Sequence, residues 1–531
     1  MSLQQRYDHP GSQKPWMSQT LDGFPLSREC IHGAYRYFWG HTHSSRQEAE
    51  ANELASNLTA TNTLLGDFCD GRIYPQAFDV AMLSPLASHF TDSTTSRVAL
   101  RALQSYTSAP EACPGDTEYT LALIEDRPII DSFWSDQCTQ LFAEDQEITD
   151  IIRSEQSSTT IAEHMWNPGL TLKNISTENV MAYFTELGTM CKNGRVNLTS
   201  FVVDAADNFA WLLSDKAGDD ADTYQRILRS EVLSAPILEA LGLEGMASGL
   251  RSACNVLRLQ NSGNGRFVDD ARARLELAGN PEQVEQKVLD ALHITVGSTV
   301  SETFIGQRGA HGIVMGEALC DTTDNLTRVA WRQKALGNEA LKLWQYSQNP
   351  DIPDDAMPTD EIASTVIFGT REEMAANYWR AYERMVNNEH VVLAPSPSRS
   401  GDKRAFYVKG PDESVDNIEK LFNEHGIQLK DVAVVERKLG FSAAKVTFML
   451  GDTGHETMFM TNDERYGNRI DVAPHPLIKL IGKITPDMDI SAAIKTLAYI
   501  HNNRGLIATN TITPTGRQRG QIFIAAINNT P

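Results

Sequence analysis

Apolar residues recur at three- and four-residue spacing along much of the chain between residues 27 and 385. This period matches the turn of an amphipathic α-helix. The pattern is clear in Glu48–Thr63, Val98–Tyr106, Thr177–Cys191, Thr223–Leu243, Met246–Leu259, Pro281–Leu292 and Ala335–Tyr346. It predicts a polar arm over residues 1–25, an all-helical domain over residues 26–300, and a helical connector with an acidic, proline-containing linker over residues 301–358.

After residue 358 the apolar residues form short runs typical of β-strands. A strand is predicted at Ile362–Phe368, and a helix at Arg371–Met385 follows it. Three further strands are predicted at Val432–Val435, Ala444–Leu450 and Thr457–Met460. Their turns contain Lys-Leu-Gly-Phe at 438–441 and Gly-Asp-Thr-Gly at 451–454. The fold class expected is therefore α+β, with a smaller mixed-sheet domain over residues 359–485.

Two segments lie outside this simple plan. Residues 391–422 are predicted to be an insertion made of a strand, a loop and a helix. Residues 486–531 are predicted to contain a helix at Ile490–His501 and a strand at Gln521–Ile527.

Composition narrows the class of protein. A length of 531 residues predicts three or four domains. The sequence contains no run of 18 apolar residues that would predict a membrane span, so we expect a cytoplasmic protein. The net charge of −22 argues against broad binding to nucleic acid or to a membrane, but it permits a local basic pocket. Seven widely spaced cysteines favour neither a disulfide framework nor a zinc knuckle.

One helical stretch carries an unexpected carboxylate. Residues 201–207 are Phe-Val-Val-Asp-Ala-Ala-Asp, which ends at Asp207, and residues 235–242 are Ala-Pro-Ile-Leu-Glu-Ala-Leu-Gly. From the residues alone Asp207 is a paired core carboxylate or a metal ligand, and the first is commoner. Together these elements resemble the HD-type hydrolase domain of long RelA/SpoT homologues, which make and destroy guanosine tetraphosphate. The resemblance places Asp207 on the metal-binding Asp.

The same resemblance implies that the hydrolase centre is lost. Ser84 and Pro85 stand where the family has its adjacent His-Asp pair. Asp207 is then a vestigial ligand in a degenerate HD-hydrolase-like domain.

Residues 359–480 resemble the synthetase domain of the same family, which has a nucleotidyltransferase-like fold. Asp360 matches the metal-binding Asp before the first strand, Phe441 the aromatic residue of the Asn-Gly-Tyr turn, and Glu456 the Glu that begins a later strand. His475 and Lys479 keep the family's 14- and 18-residue offsets from Thr461. Residues 486–531 do not resemble the regulatory domains that long members carry after the synthetase, so the expectation is a member of the family without them.

The resemblance implies transfer of pyrophosphate from ATP to GTP or GDP. Asp360 and Glu456 would be the catalytic carboxylates and would bind Mg²⁺, and Phe441 would stack on guanine. Lys445, His475 and Lys479 would line the nucleotide site. ATP and guanine nucleotides are the partners expected, and a homo-oligomer is left open.

Several positions depart from the family pattern. Thr365 replaces an Arg, Lys445 replaces a His, and Met458 and Met460 replace a Gln and an Arg. The Arg-x-Lys and the later Lys that hold ATP phosphates are not in register. The candidates for these roles are Arg328, Arg332, Lys334 and Lys342.

Three hypotheses follow. The chain is an alarmone synthetase with an inactive hydrolase domain, or a pseudoenzyme that senses nucleotides or binds proteins. The third is an unrelated helical protein with an α/β tail, in which the strands over residues 432–460 would not join one sheet with Ile362–Phe368.

Overall fold

The computed structural model describes residues 114–153, 160–168, 175–297, 300–308, 314–321, 326–350, 360–389, 391–393, 404–409, 432–437, 443–466 and 488–504. It also describes the single positions Thr61, Leu64, Leu65, Ile352, Pro358, Pro476, Leu477 and Ile507. Predicted features that lie outside these residues include the polar arm, the helix at Glu48–Thr63 except for Thr61, the helix at Val98–Tyr106, the helix of the insertion and the C-terminal strand.

Nine helices precede the sheet in the described part of the chain. They are α1 (Pro114–Leu141), α2 (Gln146–Arg153), α3 (Thr177–Lys192), α4 (Leu198–Leu212), α5 (Ala221–Arg229), α6 (Ala235–Ala240), α7 (Glu244–Asn261), α8 (Arg266–Ala278) and α9 (Pro281–Val296). A π-helical turn, Ser230–Ser234, joins α5 to α6. The predicted helices at Thr177–Cys191, Met246–Leu259 and Pro281–Leu292 are confirmed.

Local sequence signals set the ends of these helices. The Ser176 side chain accepts a hydrogen bond from the Asn179 amide at the start of α3. At α9, Asn280 and Gln283 form a reciprocal capping box, and Gly297 ends the helix with a left-handed φ of 74°. Both devices satisfy backbone groups that the helix itself leaves unpaired.

The strands are β1 (Val300–Arg308), β2 (Val314–Asp321), β3 (Leu326–Gln333), β4 (Ile362–Phe368), β5 (Val391–Leu393), β6 (Arg404–Lys409), β7 (Val432–Arg437), β8 (Ala443–Leu450) and β9 (Thr453–Thr461). They form one mixed sheet in the order β1-β2-β3-β4-β9-β8-β6-β7, and β5 pairs with β8. The remaining helices are α10 (Leu336–Ser347), α11 (Arg371–Val386), α12 (Asn462–Tyr466) and α13 (Ser491–Asn502). The described chain is thus α+β and mostly helical, with one mixed sheet.

The sheet does not show the separation of strands that would have favoured the third hypothesis. β4 pairs with β9 in parallel, and β9 pairs with β8, which pairs with β6. β7 joins through β6. The strands over residues 432–460 therefore belong to the same sheet as Ile362–Phe368.

The prediction of a helical connector over residues 301–358 was wrong for the described residues between 301 and 333. These residues form three antiparallel strands, β1 to β3, and β3 pairs with β4. In β3, Val329 and Trp331 are buried, whereas Arg332 is exposed. This two-residue alternation suits a strand with one covered face, and pairing with β4 fixes it.

One face of the sheet packs against α9 and α11. The shared core contains Val288, Tyr378, Ile362, Val366 and Phe459. Because side chains alternate along a strand, the neighbours of these strand residues in sequence lie on the opposite face. That second face carries the charged residues considered below.

The helix predicted at Ile490–His501 forms, but it packs back on the helical region. Leu497 and Ile500 join the core of the first nine helices. Thr496 Oγ1 donates a hydrogen bond of 2.7 Å to the Phe184 carbonyl on α3. The helix that follows the sheet in sequence therefore ties the sheet region to α3.

No helix in the described ranges is both long enough and apolar enough to span a membrane.

Candidate functional site

Two carboxylates lie on neighbouring parallel strands: Asp360 is two residues before β4, and Glu456 is the fourth residue of β9. In the register of β4 and β9, Ala363 is paired with Glu456, and Asp360 precedes Ala363 by three residues. Phe459 faces the core that packs on α9 and α11, so Glu456, three residues away, lies on the other face. The parallel pairing of β4 with β9 thus brings together carboxylates that are 96 positions apart in sequence.

Two lysines bind Asp360. Lys334, one residue after β3, places its ammonium nitrogen 2.8 Å from Asp360 Oδ1, and Lys342 of α10 contacts the same oxygen. Burial alone would raise the pKa of the Asp360 carboxyl, but the two ammonium groups outweigh it and hold the pKa well below its usual value. Asp360 is therefore ionised and already neutralised by protein cations.

The two lysines respond differently to their surroundings. Burial lowers the pKa of Lys334, and the attraction of Asp360 only partly offsets it. Burial also acts on Lys342, but the charges of Asp360 and, to a lesser extent, Glu456 raise its pKa above the ordinary value. Lys342 thus lies within electrostatic range of both carboxylates.

Glu456 has its own cation. Lys445 of β8 forms an ion pair with Glu456 Oε2. In the register of β8 and β9, Lys445 is paired with Met458, so it is diagonally adjacent to Glu456 on the same face. We call Lys334, Lys342, Asp360, Lys445 and Glu456 the lysine–carboxylate cluster.

The cluster can bind phosphate and, after rearrangement, a divalent cation. Lysine ammonium groups are point charges suited to phosphate oxygens, and carboxylates are the ligands that Mg²⁺ prefers. Among the described residues no group of three or more His, Cys, Asp or Glu side chains is placed to hold a metal ion. A Mg²⁺ ion here would take its other ligands from phosphate and water, as is usual for this ion.

A second layer of charge lies behind the cluster. Glu339 of α10 is fully buried, with Oε2 3.5 Å from Lys334 Nζ and Oε1 3.2 Å from Arg274 Nε. Arg274 also donates to Glu361 Oε1, and Glu361 Oε2 accepts a 2.7 Å hydrogen bond from the Gly454 amide. Burial raises the pKa of the Glu361 carboxyl, although these donors oppose the change.

Asp207 lies in a different place, in the helical region. It is on α4 and accepts a 2.6 Å hydrogen bond from Arg127 of α1. Burial would raise its pKa, but the Arg127 charge lowers it overall. Asp204, Asp131 and Arg229 extend the same network, with Arg229 bound to both aspartates. An arginine, then, is the cation that Asp207 binds.

The predicted site residues therefore fall into three groups. The structure brings Asp360, Glu456 and Lys445 together, and it places Asp207 apart from them. Phe441, His475 and Lys479 lie outside the described residues.

Sequence reasoning named Lys334 and Lys342 only as candidates and missed Glu339, Glu361 and Arg274. A signal for the lysines existed, because Arg332-Gln333-Lys334 is an Arg-x-Lys directly before a helix that carries Lys342. Glu361 follows Asp360 directly, but an acidic pair before a strand has many structural explanations. Nothing in the sequence pointed to Arg274.

Comparison with known proteins adds no family. No protein-family model matches the chain, and no curated protein sequence matches it either.

Proposed function

We propose that the lysine–carboxylate cluster binds the phosphates of ATP together with Mg²⁺, and that the chain transfers pyrophosphate from ATP to GTP or GDP. In this proposal the sheet region is a nucleotidyltransferase-like synthetase, and the helical region is an HD-hydrolase-like domain without hydrolase activity. The observation that carries the proposal is the convergence of Asp360, Glu456 and three lysines on one end of the sheet.

The residues divide the chemistry between them. Lys334 and Lys342 exchange Asp360 for phosphate oxygens when ATP binds, because both are acceptors for the same ammonium groups. This exchange frees the Asp360 carboxylate. Asp360 would hold Mg²⁺, which would supply positive charge beside the transferred phosphates. Glu456, once Lys445 also turns to phosphate, orients the 3′-hydroxyl of GTP or GDP and accepts its proton. The 3′-oxygen bonds to the β-phosphorus of ATP, the bond from this phosphorus to the oxygen that bridges the α- and β-phosphates breaks, and AMP leaves.

A specific observation favours a second candidate, the nucleotide-sensing pseudoenzyme. Each carboxylate is bound by lysine, and Asp360 is bound by two. If the lysines keep these pairs when nucleotide binds elsewhere on the sheet, neither carboxylate is free for catalysis. Met458 and Met460 add no polar group where the family has Gln and Arg.

One experiment separates the two candidates. The purified chain is incubated with ATP, Mg²⁺ and GTP or GDP, and nucleotides are resolved by anion-exchange chromatography. Equilibrium binding of ATP is measured in parallel. Asp360→Asn and Glu456→Gln test the carboxylates. Glu231→Gln, which alters a carboxylate paired with Arg258 in the helical region, is the matched control.

The outcomes are distinct. A pyrophosphorylated product that Asp360→Asn and Glu456→Gln abolish, and Glu231→Gln retains, supports the synthetase. ATP binding without product in the unmodified chain, weakened by Lys342→Met, supports the sensing module. Absence of both product and binding would contradict both candidates.

A further inference from the structure

A single arginine of the helical region connects to the segments that carry the lysine–carboxylate cluster. Arg274 lies on α8 and has three acceptors on two other segments. Its Nε donates to Glu339 Oε1 at 3.2 Å, and its Nη2 donates to Glu361 Oε1 and, at 3.1 Å, to the Pro358 carbonyl. One guanidinium thus joins α8, α10 and the segment before β4.

The acceptors of Arg274 in turn touch the segments of the cluster. Glu339 Oε2 lies 3.5 Å from Lys334 Nζ. Glu361 follows Asp360, and its backbone carbonyl accepts a 2.7 Å hydrogen bond from the Lys334 amide. Its side chain accepts from Gly454, two residues before Glu456. Through a single intervening residue, Glu339 or Glu361, Arg274 therefore connects to the start of β4, the end of β3 and the start of β9.

Burial makes this arrangement depend on arginine. The Glu339 side chain is 0% exposed and that of Glu361 is 4% exposed, so each carboxylate requires a partner cation. A guanidinium fork reaches two carboxylates and a carbonyl in fixed directions, whereas a lysine ammonium is a single point charge. Loss of the fork leaves the buried carboxylates to seek other donors, and Lys334 is the cation beside Glu339.

We infer that Arg274 is a positioning residue that fixes the lysine–carboxylate cluster to the helical region. It holds Glu339 and Glu361 so that Lys334 remains directed at Asp360 and the Gly454 amide remains fixed at the start of β9. The inference rests on the proposed function only for its nucleotide-binding readout.

The full chain provides a matched comparison. Arg274→Met removes the fork, and Arg229→Met removes another guanidinium that also binds two carboxylates, Asp204 and Asp131. The Arg274 and Arg229 side chains are similarly covered, at 18% and 14% exposure. Arg229 lies among α1, α4 and α5, so it reports the loss of a buried ion pair without the connection to the cluster.

Two readouts do not require nucleotide. Hydrogen exchange, measured by mass spectrometry on peptides that contain Gly454 and Lys334, reports the two amide hydrogen bonds made to Glu361. Labelling by a small amine-reactive reagent reports how tightly Lys334 and Lys342 are held. We expect Arg274→Met to speed exchange and labelling at these positions, and Arg229→Met to leave them unchanged.

The third readout is ATP binding in the presence of Mg²⁺. Arg274→Met should weaken it about tenfold, the lower end of what residues behind a binding site usually contribute. Arg274→Lys should give intermediate values in all three readouts, because it keeps the charge but not the fork. It also serves as the test variant if Arg274→Met does not fold.

Equal exchange and labelling in Arg274→Met and Arg229→Met would overturn the inference. If the unmodified chain binds no ATP, the proposed function fails, while exchange and labelling still decide the role of Arg274. If ATP binds but Arg274→Met changes no readout, only the inference fails.

Discussion

The buried His455 should make the stability of the protein depend on pH. It is 2% exposed on β9, its Nε2 has no hydrogen-bond partner, and its ring stacks on Phe448 with centroids 5.2 Å apart. Burial, with a smaller contribution from the nearby Lys287 charge, lowers the pKa of His455 from 6.5 to about 4. The folded chain therefore holds this imidazole neutral at pH values where an unfolded chain protonates it.

The sign and size of the effect follow from this difference. Between about pH 6.5 and pH 4 the unfolded state binds more protons, so this histidine makes the protein less stable as the pH falls. Each pKa unit corresponds to about 1.4 kcal/mol, and full titration would remove about 3 kcal/mol. Linkage gives a loss of about 2 kcal/mol between pH values near 7.5 and 5.

His455→Phe isolates this contribution. Phenylalanine preserves a buried ring against Phe448 but has no proton to bind. Urea denaturation of both proteins, followed by tryptophan fluorescence over the pH range, gives the free energy of unfolding at each pH. The unmodified protein should lose about 2 kcal/mol more than the variant on acidification. Parallel curves for the two proteins would refute the reasoning, because carboxylates elsewhere titrate in both.

Three further substitutions, at Gly337, Thr496 and Lys342, test packing and charge where the sheet region meets the helical region and at the cluster. Gly337→Ala should destabilise the protein by about 1–3 kcal/mol, because a Cβ there would lie 2.0 Å from the Ser252 carbonyl oxygen on α7. Gly218→Ala is the control: its Cβ would lie 3.8 Å from the nearest atom, so its stability to urea should change little. Thr496→Val should cost about 1 kcal/mol by removing its hydrogen bond to the Phe184 carbonyl, and equal urea midpoints would contradict this. Lys342→Met should raise the pKa of Asp360, read from its carboxyl ¹³C shift, because one of its two ammonium partners is gone; an unchanged titration would show that Lys334 alone holds it.

Much of the fold could be predicted from periodicity. The strand at Ile362–Phe368 was placed at its exact bounds, and the helix at Arg371–Met385 came within one residue. Both segments have a strong local pattern, and Thr370 with Glu373 adds a capping box. Local physics was enough where pattern, cap and tertiary environment agree.

The first three strands could not be predicted in the same way. β3 alternates buried Val329 and Trp331 with the less buried Ala330 and Arg332, but its covered face exists only because β4 and α9 lie beside it. β1 and β2 depend in turn on β3. Strand formation here depends on partners that are distant in sequence, so a strand is predicted from the sequence less reliably than a helix.

The candidate site likewise combines residues that local sequence patterns could place with residues whose positions depend on tertiary contacts. Asp360 and Glu456 each stand at the start of a predicted strand, and a parallel pairing of those strands was enough to bring them together. Lys342 is different, because its position depends on where α10 docks. That docking rests on the Gly337 amide, which donates a 2.7 Å hydrogen bond to Ser252 Oγ of α7. One of the two ammonium groups that neutralise Asp360 is thus positioned by a contact with the helical region that no local sequence pattern indicates.

The charge balance of the cluster predicts the order in which Mg²⁺ and ATP bind. The cluster's three lysines and Arg274 behind them face four carboxylates, Asp360, Glu456, Glu339 and Glu361, so every carboxylate is already bound. A triphosphate brings several negative charges, enough to compete with Asp360 and Glu456 for all three lysines. Mg²⁺ alone meets the opposite situation, since it must displace the ammonium groups from Asp360 and Glu456 without supplying them with an anion in exchange. The cluster should therefore bind Mg²⁺ with ATP and not before it, and Mn²⁺ titration with and without ATP, followed by electron paramagnetic resonance, checks this order. Tight Mn²⁺ binding to the nucleotide-free chain would show that the lysine ion pairs do not prevent metal binding to Asp360 and Glu456.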